Sequence, residues 1–235
     1  WRFSASSTSV TGSVADRAWA PGNSASYLRR ALGASNDGSW ASTVPPQASG
    51  LVIFCHGTGS NRRSPRNRMV AEVLQQAGLA TLLLDLTPRG SALMQANNHG
   101  LDQARRNLLA AVDWTTSEPS LAPLPLGLFG ASSGAAVALD VAALRPDRIR
   151  TVVSRGGRPD LAFESLGQVR CPTLLIVGSA DLDVLELNAW AAGHLRASHD
   201  LLVVPGASHL FSEPGALQSV AEASCRWFAQ HLSRT

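Results

Sequence analysis

The sequence contains no lysine, so all 20 of its basic side chains are arginine. Against 17 acidic residues they leave a formal net charge of only +3, which is too small to indicate a nucleic-acid-binding protein. Its six histidines and three cysteines lack the spacing of a zinc site or a disulfide framework. We therefore predict reduced thiols, no metal, no cofactor and no nucleic-acid partner.

Long apolar runs are also missing. No stretch approaches the roughly 18 residues that a membrane-spanning helix needs, so we predict no membrane partner. The hydrophobic content of 45% and the charged content of 16% are typical of a globular protein. The few cysteines favour a cytoplasmic location, since disulfides belong to oxidising compartments. Nothing in the composition predicts an oligomeric state.

The chain divides into two parts of different pattern. Residues 1–49 are rich in small and polar residues and predict only possible edge strands or a short helix. Residues 50–235 alternate short apolar runs with segments of helical length, which predicts one α/β domain. Its sheet should be twisted and mostly parallel, with helices on both faces. Strands are predicted at 51–55, 80–85, 126–130, 151–154, 173–177 and 201–204, and helices at 65–77, 99–116, 133–144, 159–168, 184–197 and 214–232.

The segment "GASSG", residues 130–134, lies where a predicted strand meets an Ala-rich predicted helix. It fits the G-x-S-x-G pattern of a nucleophile elbow, with Ser132 at its centre. A strand that turns at once into a helix strains the central residue and leaves room only for small neighbours. The pattern therefore favours Ser132 as a nucleophile. The alternative is that Ser132 or Ser133 is an ordinary helix N-cap.

Two later strand ends supply the partners that a serine nucleophile needs. A serine hydroxyl is a weak nucleophile at neutral pH and requires a base that is itself oriented by a carboxylate. His209 follows the strand predicted at 201–204, and Asp181 follows the strand predicted at 173–177. The chain order Ser, Asp, His is that of α/β-hydrolases. We predict a triad with His209 as base and Asp181 as acid, and Asp183 is the alternative acid.

An acyl-transfer site also needs backbone N–H groups directed at the oxyanion. We expect one donor at Ser133, at the start of a helix whose dipole favours negative charge. The second is expected in the loop "HGTGS", residues 56–60, with Thr58 as the donor. His56, in the same loop, is interpreted as a structural residue that holds it.

Two groups of arginines lie close to these predicted loops. Because guanidinium groups bind carboxylates well, Arg155 is a candidate substrate-binding residue that would select acidic esters. The alternative is that these arginines are surface charges or ties between loops. The two groups are Arg62, Arg63, Arg66 and Arg68 after the first loop, and Arg155 and Arg158 after the strand predicted at 151–154.

Together, four motifs resemble the α/β-hydrolase superfamily and most closely its compact dienelactone hydrolase-like branch. They are "FCHGTGSNRRSPRNR", "LGLFGASSGAAVAL", "GSADLDV" and "PGASHLF", and the likeness covers about residues 50–232. The resemblance implies the α/β-hydrolase fold, with Ser132 as nucleophile, Asp181 as acid and His209 as base. Dienelactone hydrolase itself has a cysteine nucleophile, so the serine at position 132 indicates a serine esterase.

The predicted strands at 151–154 and 173–177 are separated by only 18 residues, too few for a helical lid domain. An uncovered site suits small or short-chain soluble esters, so we predict a serine carboxylester hydrolase with an acyl-enzyme intermediate and a small-molecule ester as its substrate. Related alternatives are a thioesterase, an amidase or a dienelactone-type lactonase. From other classes, the alternatives are a non-catalytic hydrolase-like binding module and an anion or nucleic-acid binder that uses the arginines of 62–68.

Overall fold

The computed structural model describes residues 40–87 and 98–233. In these ranges the sheet has seven strands: Trp40–Thr43 (β1), Gly50–Cys55 (β2), Leu79–Leu84 (β3), Leu126–Ala131 (β4), Ile149–Arg155 (β5), Thr173–Gly178 (β6) and His199–Val204 (β7). The α-helices of the same ranges are Pro65–Gln76 (α1), Asn98–Thr115 (α2), Ser133–Leu144 (α3), Phe163–Leu166 (α4), Leu182–Ala192 (α5) and Ala216–His231 (α6).

The strands form one sheet in the order β1-β3-β2-β4-β5-β6-β7. β1 pairs with β3 in the antiparallel direction, and all the other neighbours are parallel. This arrangement confirms the predicted α/β class with a mostly parallel sheet. β1 lies within the predicted N-terminal segment, residues 1–49. Residues 1–39 of that segment, with the short helix or edge strand considered there, lie outside the described residues.

Helices cover both faces of the sheet. Of the inner strands, β2, β3, β4 and β6 are buried along their whole length, and β5 is buried at all residues but Arg150. This is why they appear as continuous apolar runs and not as alternating ones. On one face, Leu51 and Ile53 of β2 pack with α2 and α3. On the other face, Val52 and Phe54 of the same strand pack with α1 and α6. The two apolar layers fix the sheet between the helices.

The connection between β5 and β6 is shorter and less helical than predicted. The helix expected at 159–168 is a 3₁₀ turn, Pro159–Ala162, followed by the single turn of α4. Gly156 leaves β5 with φ +50°, a conformation that no regular helix contains. The 3₁₀ turn and α4 are the helical elements between β5 and the start of β6 at Thr173, so this connection contains no lid domain.

Because the strands β2 to β7 are parallel, their carboxyl ends meet at one edge of the sheet. The loops that carry the predicted site residues all leave from this edge, at residues 56–64, 132, 156–158, 179–181 and 205–215. Ligands of open α/β sheets bind at such an edge.

Candidate active site

Ser132 joins β4 directly to α3 in a strained backbone conformation. Its φ is 53° and its ψ is −128°, outside the regions that non-glycine residues normally occupy. Its N–H donates to the carbonyl of Arg155 at 3.1 Å, and its own carbonyl accepts the N–H of Arg158 at 3.1 Å. Ser132 occupies the N-cap position of α3, but its side chain makes no capping hydrogen bond. The Ser132 hydroxyl therefore does not cap the helix.

The glycines around Ser132 are required by close packing. A Cβ on Gly130 would overlap the backbone of Ala135, one turn into α3. A Cβ on Gly134 would overlap the carbonyl groups of Cys55 and His56, at the end of the neighbouring strand β2. These contacts explain why the sequence has small residues on both sides of the elbow.

His209 and Asp181 are joined by a hydrogen bond. The distance between Nδ1 of His209 and Oδ2 of Asp181 is 2.7 Å. Since a carboxylate only accepts, Nδ1 carries the proton and donates it, which leaves Nε2 as the basic nitrogen. Asp181 is the N-cap residue of α5 and makes no capping bond, so its carboxylate is directed at the histidine. Asp183, the alternative acid, is exposed in the first turn of α5.

The loop that carries His209 is anchored on both sides of the histidine. The side chain of Ser208 and, after it, the Ser208 N–H, which donates to Oε2 of Glu213 at 3.1 Å, hold the pKa of the Glu213 carboxyl below its usual value. Phe211 is buried and adopts φ 54°, so its ring fixes a tight turn just after the histidine. Sequence reasoning gave neither residue a role: Glu213 lies outside the four motifs, and Phe211 ends the motif "PGASHLF" without chemistry of its own.

β5 brings the histidine loop and the elbow together. Gly156, which follows the strand, packs against His209, since a Cβ placed on it would lie 3.6 Å from Cε1 of the ring. The residue before it, Arg155, holds the backbone of Ser132. Within residues 40–87 and 98–233 no hydrogen bond joins the Ser132 hydroxyl to His209. Such bonds often form only when substrate is bound.

Thr58 and Ser133, the predicted oxyanion donors, are in contact, but in an arrangement that the sequence did not predict. The N–H of Thr58 donates to Oγ of Ser133 at 2.9 Å, and Oγ1 of Thr58 lies 2.9 Å from the same oxygen. The Thr58 amide thus already has an acceptor. The N–H of Ser133 lies in the first turn of α3, where no acceptor exists within the helix.

His56 holds the oxyanion loop. Its Nε2 accepts the N–H of Leu86 at 2.8 Å, and its Nδ1 therefore carries the proton and donates to the carbonyl of Gly57 at 3.0 Å. Burial lowers the pKa of the imidazole, so the neutral form is favoured. The histidine ties the loop after β2 to the segment after β3, which is the structural role expected for it.

Two of the arginines near the site are paired with a carboxylate, Arg62 across segments and Arg158 within its own turn. The N–H of Arg62 donates to Oδ1 of Asp85 at 2.7 Å, and its guanidinium pairs with the other carboxylate oxygen. Arg158 makes two hydrogen bonds to Asp160, at 2.8 and 2.7 Å. Arg155 differs from both, because it is buried and has no acidic partner among the residues that the structure describes.

The described residues hold no cluster of three or more histidine, cysteine, aspartate or glutamate side chains that suits a metal ion. Cys55 and Cys171 are buried, and burial raises the pKa of both thiols, that of Cys171 to about 11. No helix within the described ranges is both long and apolar enough to cross a membrane.

Comparison with known proteins places this site in a family. The model of the dienelactone hydrolase family matches residues 41–233. The crystal structure of a dienelactone hydrolase from Anabaena variabilis is 48% identical and superimposes with a TM-score of 0.78, covering 82% of this chain and 91% of that one. The structure of Est1E from Butyrivibrio proteoclasticus with ferulic acid bound is 17% identical, with a TM-score of 0.71 over 82% of this chain and 94% of that one. This second likeness shows the α/β-hydrolase fold alone.

A putative phosphoribosyl transferase of Mycobacterium tuberculosis is 51% identical over 190 residues, which are 81% of this chain. They are only 43% of the relative, so this chain spans less than half the length of that protein. The family model and the Anabaena structure cover most of the chain, and membership supports an activity of the hydrolase or esterase type. The chain belongs to the dienelactone hydrolase family.

Proposed function

We propose that the protein is a serine carboxylester hydrolase that acts on small-molecule, short-chain esters through an acyl-enzyme intermediate. The observation that carries this proposal is the hydrogen bond between His209 and Asp181. The loop of His209 packs against Gly156 at the end of β5, next to Arg155, whose carbonyl accepts the N–H of the strained Ser132. A base oriented by a carboxylate beside a serine on a sharp turn is the arrangement needed to activate a hydroxyl.

In the acylation step, Oγ of Ser132 attacks the carbonyl carbon of the ester and Nε2 of His209 takes its proton. Asp181 holds the imidazole through Nδ1 and stabilises its positive charge. When the tetrahedral intermediate collapses, the bond to the alcohol oxygen breaks and the proton passes from Nε2 to that oxygen. The alcohol leaves, and the acyl group remains bound to Ser132.

Deacylation repeats the same steps with water as the nucleophile. Nε2 of His209 takes a proton from the water as its oxygen attacks the acyl carbon. The bond to Ser132 then breaks, and its oxygen recovers the proton from the imidazolium. The products are a carboxylic acid and an alcohol, and the enzyme returns to its starting form without a metal or an organic cofactor.

The oxyanion is stabilised by the backbone N–H groups of Thr58 and Ser133. Each such donor typically contributes about 2.7 to 4 kcal/mol to lowering the barrier. In the structure the Ser133 hydroxyl already accepts the Thr58 N–H at 2.9 Å. The substrate oxygen must therefore replace this hydroxyl as the acceptor, which a rotation of the Ser133 side chain about χ1 permits.

A small acyl group suits the space beside this position. The cavity next to Ser133 is small, with a volume of about 20 Å³. Its apolar lining includes Leu86, Leu101 and Val137. The short connection between β5 and β6 adds no lid that would bury a long chain.

The test is hydrolysis of p-nitrophenyl acetate, butyrate, octanoate and palmitate by the wild type and by Ser132→Ala. We expect turnover to be highest on the two short esters and to disappear in the variant. Ser120→Ala is the matched control, because Ser120 is exposed before the start of β4, at the opposite edge of the sheet, and it should retain activity. A folded wild type that hydrolyses none of the esters, or a Ser132→Ala variant as active as the wild type, would overturn the proposal.

The 48% identity to a dienelactone hydrolase makes a lactone the second candidate substrate. A lactone is an internal ester, so the same acylation would open its ring and leave the alcohol attached to the acyl group. A γ-lactone assayed beside p-nitrophenyl acetate distinguishes the two activities. A kcat/KM on the lactone above that on the acetate would assign the protein as a lactonase.

A further inference from the structure

Arg66 and Arg155 are two neighbouring guanidinium groups without an acidic partner. Within the part of the chain that the structure describes, neither makes a salt bridge, and Nε of each is buried without a hydrogen-bond partner. The two groups are close enough for the positive charge of Arg66 to lower the pKa of Arg155. Each guanidinium thus repels the other, and no carboxylate of residues 40–87 and 98–233 pairs with either of them.

Arg155 is the more buried member of this pair, with only 7% of its surface exposed. Burial is the main cause that lowers its pKa, to about 10, which still leaves the group charged at neutral pH. Its guanidinium carbon lies 5.8 Å from the centre of the Phe211 ring. Such a cation–π contact stabilises a cation much less than the hydration that burial removes.

The other arginines near the site show how this chain satisfies a structural arginine. Arg62 and Arg158 each use more than one hydrogen bond to a single carboxylate, on Asp85 and Asp160. Arg66 and Arg155 lack this arrangement, although Arg155 is more deeply buried than Arg158. The described residues therefore supply no anion for this pair, and a bound ligand can supply one.

The start of α1 adds further positive potential at the same place. Arg66 lies in the first turn of this 12-residue helix, directly after Pro65, and no acidic residue lies in that turn. The N-terminus of a helix carries about half a positive charge. Pro65 has no N–H and the side chain of Ser64 accepts the N–H of Asn67, so the start of α1 contributes mainly through its dipole. A cleft of about 360 Å³, lined by residues 59–61 and 63–66, opens there.

Arg155 connects this positive region to the predicted nucleophile. It pairs in register with Ala131, the residue before Ser132, and its carbonyl accepts the N–H of Ser132 at 3.1 Å. Adjacent strands lie about 4.8 Å apart, so the side chain starts within one strand spacing of the elbow. An anion held here would belong to a molecule that also reaches Ser132.

We propose that Arg66 and Arg155 bind a phosphate group carried by the ester substrate. The charge at the site selects phosphate over a single carboxylate. Two guanidinium groups and the start of α1 sum to about +2.5, and a phosphate monoester carries about −1.5 to −2 at neutral pH. A carboxylate, with one negative charge, would leave most of this positive charge uncompensated. The inference rests on the proposed function, because it names the substrate class of the same site.

Three butyrate esters that differ only in their terminal group test this inference: 2-phosphoethyl, carboxymethyl and 2-hydroxyethyl butyrate. Their hydrolysis is followed by acid release for the wild type, Arg66→Gln and Arg155→Met. Arg68→Gln, on the exposed side of α1, is the control. Arg66→Gln changes a partly exposed side chain, so it keeps the test valid if Arg155→Met does not fold.

In the wild type, kcat/KM should be roughly tenfold or more higher for the phosphorylated ester than for the hydroxyethyl ester, as expected for charge-assisted hydrogen bonds. Arg66→Gln and Arg155→Met should lose this preference, measured as the ratio of kcat/KM on the two esters, while Arg68→Gln keeps it. Equal kcat/KM for the two esters in the wild type, or a preference that survives in both variants, would overturn the inference. A higher kcat/KM for the carboxymethyl ester would overturn the assignment to phosphate.

Binding separates this inference from the proposed function. Calorimetry with 2-phosphoethyl butyrate and Ser132→Ala measures the site without turnover. If no ester is hydrolysed but this compound binds, and binds more weakly after Arg66→Gln, the phosphate site stands and the esterase proposal fails. If the neutral ester is hydrolysed but the phosphorylated one does not bind, the phosphate site fails and the esterase proposal stands.

Discussion

Asp181 accepts a hydrogen bond from Nδ1 of His209 at 2.7 Å, although 28 positions separate the two residues in the chain. Each follows a strand of the parallel pair β6 and β7, whose register brings Gly178 beside Val204. The contact is therefore a product of strand pairing, and it fixes the tautomer of the histidine before any substrate arrives.

Replacement of Asp181 by asparagine should abolish most of the activity without unfolding the protein. The amide keeps the shape of the carboxylate but removes its charge and favours the wrong histidine tautomer, a change that costs about 10⁴-fold in kcat in a serine protease. We expect a loss of 10³- to 10⁴-fold in kcat on p-nitrophenyl butyrate, measured by stopped-flow or steady-state kinetics. Asp183→Asn should stay within about twofold of the wild type, and the opposite ranking of the two variants would assign the acid to Asp183.

Replacement of Ser133 by alanine should leave the turnover largely intact and lower the stability. The proposed oxyanion donors are backbone groups, and the variant frees the Thr58 N–H that the hydroxyl now occupies. We expect kcat within about threefold of the wild type, and a free energy of unfolding lower by about 1 to 2 kcal/mol for the hydrogen bonds lost. Urea denaturation and ester kinetics measure the two effects. A fall of a hundredfold in kcat would show that the hydroxyl itself is a donor.

Gly134 should be far less tolerant of a methyl group than Gly78. A Cβ on Gly134 would overlap the backbone carbonyls of Cys55 and His56, whereas a Cβ on Gly78 meets open space and only its φ of +82° opposes it. We expect Gly134→Ala to destabilise the protein by about 3 kcal/mol or more, and Gly78→Ala by about 1 to 2 kcal/mol. Thermal unfolding of both variants provides the comparison. Similar losses in the two would mean that β2 shifts to make room.

Acid should destabilise the protein in part through His56. Burial lowers the pKa of this imidazole in the folded state, whereas the unfolded chain keeps a value near 6.5. Below that value the unfolded state binds a proton that the folded state does not, so stability falls with decreasing pH until the lowered folded pKa is reached. Urea titrations between pH 7 and pH 5 measure the slope, which should be smaller in His56→Asn.

His231 is the control for this pH dependence. Burial also lowers its pKa, but it lies near the end of α6, away from the oxyanion loop. His231→Gln should therefore keep the part of the slope that His56 causes. An unchanged slope in His56→Asn would show that other groups dominate the acid response.

Local patterns predicted most of the fold, because strands that are buried on both faces appear in a sequence as short apolar runs. The elbow was recognisable for a similar reason, since Ser132 stands between small residues at the joint of a predicted strand and a predicted helix. The acid was harder to assign. Asp181 and Asp183 are two residues apart, and the start of α5 at Leu182 lies between them. Asp181 therefore precedes the helix and reaches His209, whereas Asp183 lies in its first turn.

The sequence pattern did not predict which side chains that are distant in the chain pair with each other. Nothing in the run of arginines indicates that Arg62 pairs with Asp85 while Arg66 pairs with no acid of the described residues, because both outcomes depend on how the loop after β2 meets β3. The bond from the Thr58 amide to Ser133 has the same origin, since it depends on a side-chain rotamer and not on a pattern. Sequence reasoning located the loops, whereas the partners within them follow from packing.

The backbone of residues 155–158 holds Ser132 on both sides, through its N–H and its carbonyl. The same short segment carries Arg155 and packs against His209 through Gly156. The nucleophile, the base and the proposed phosphate site thus share one mechanical support. A movement of this segment by a fraction of an ångström would shift the nucleophile, the base and the phosphate site together. A change at the end of β5 would therefore alter the affinity for the substrate and the turnover number at the same time.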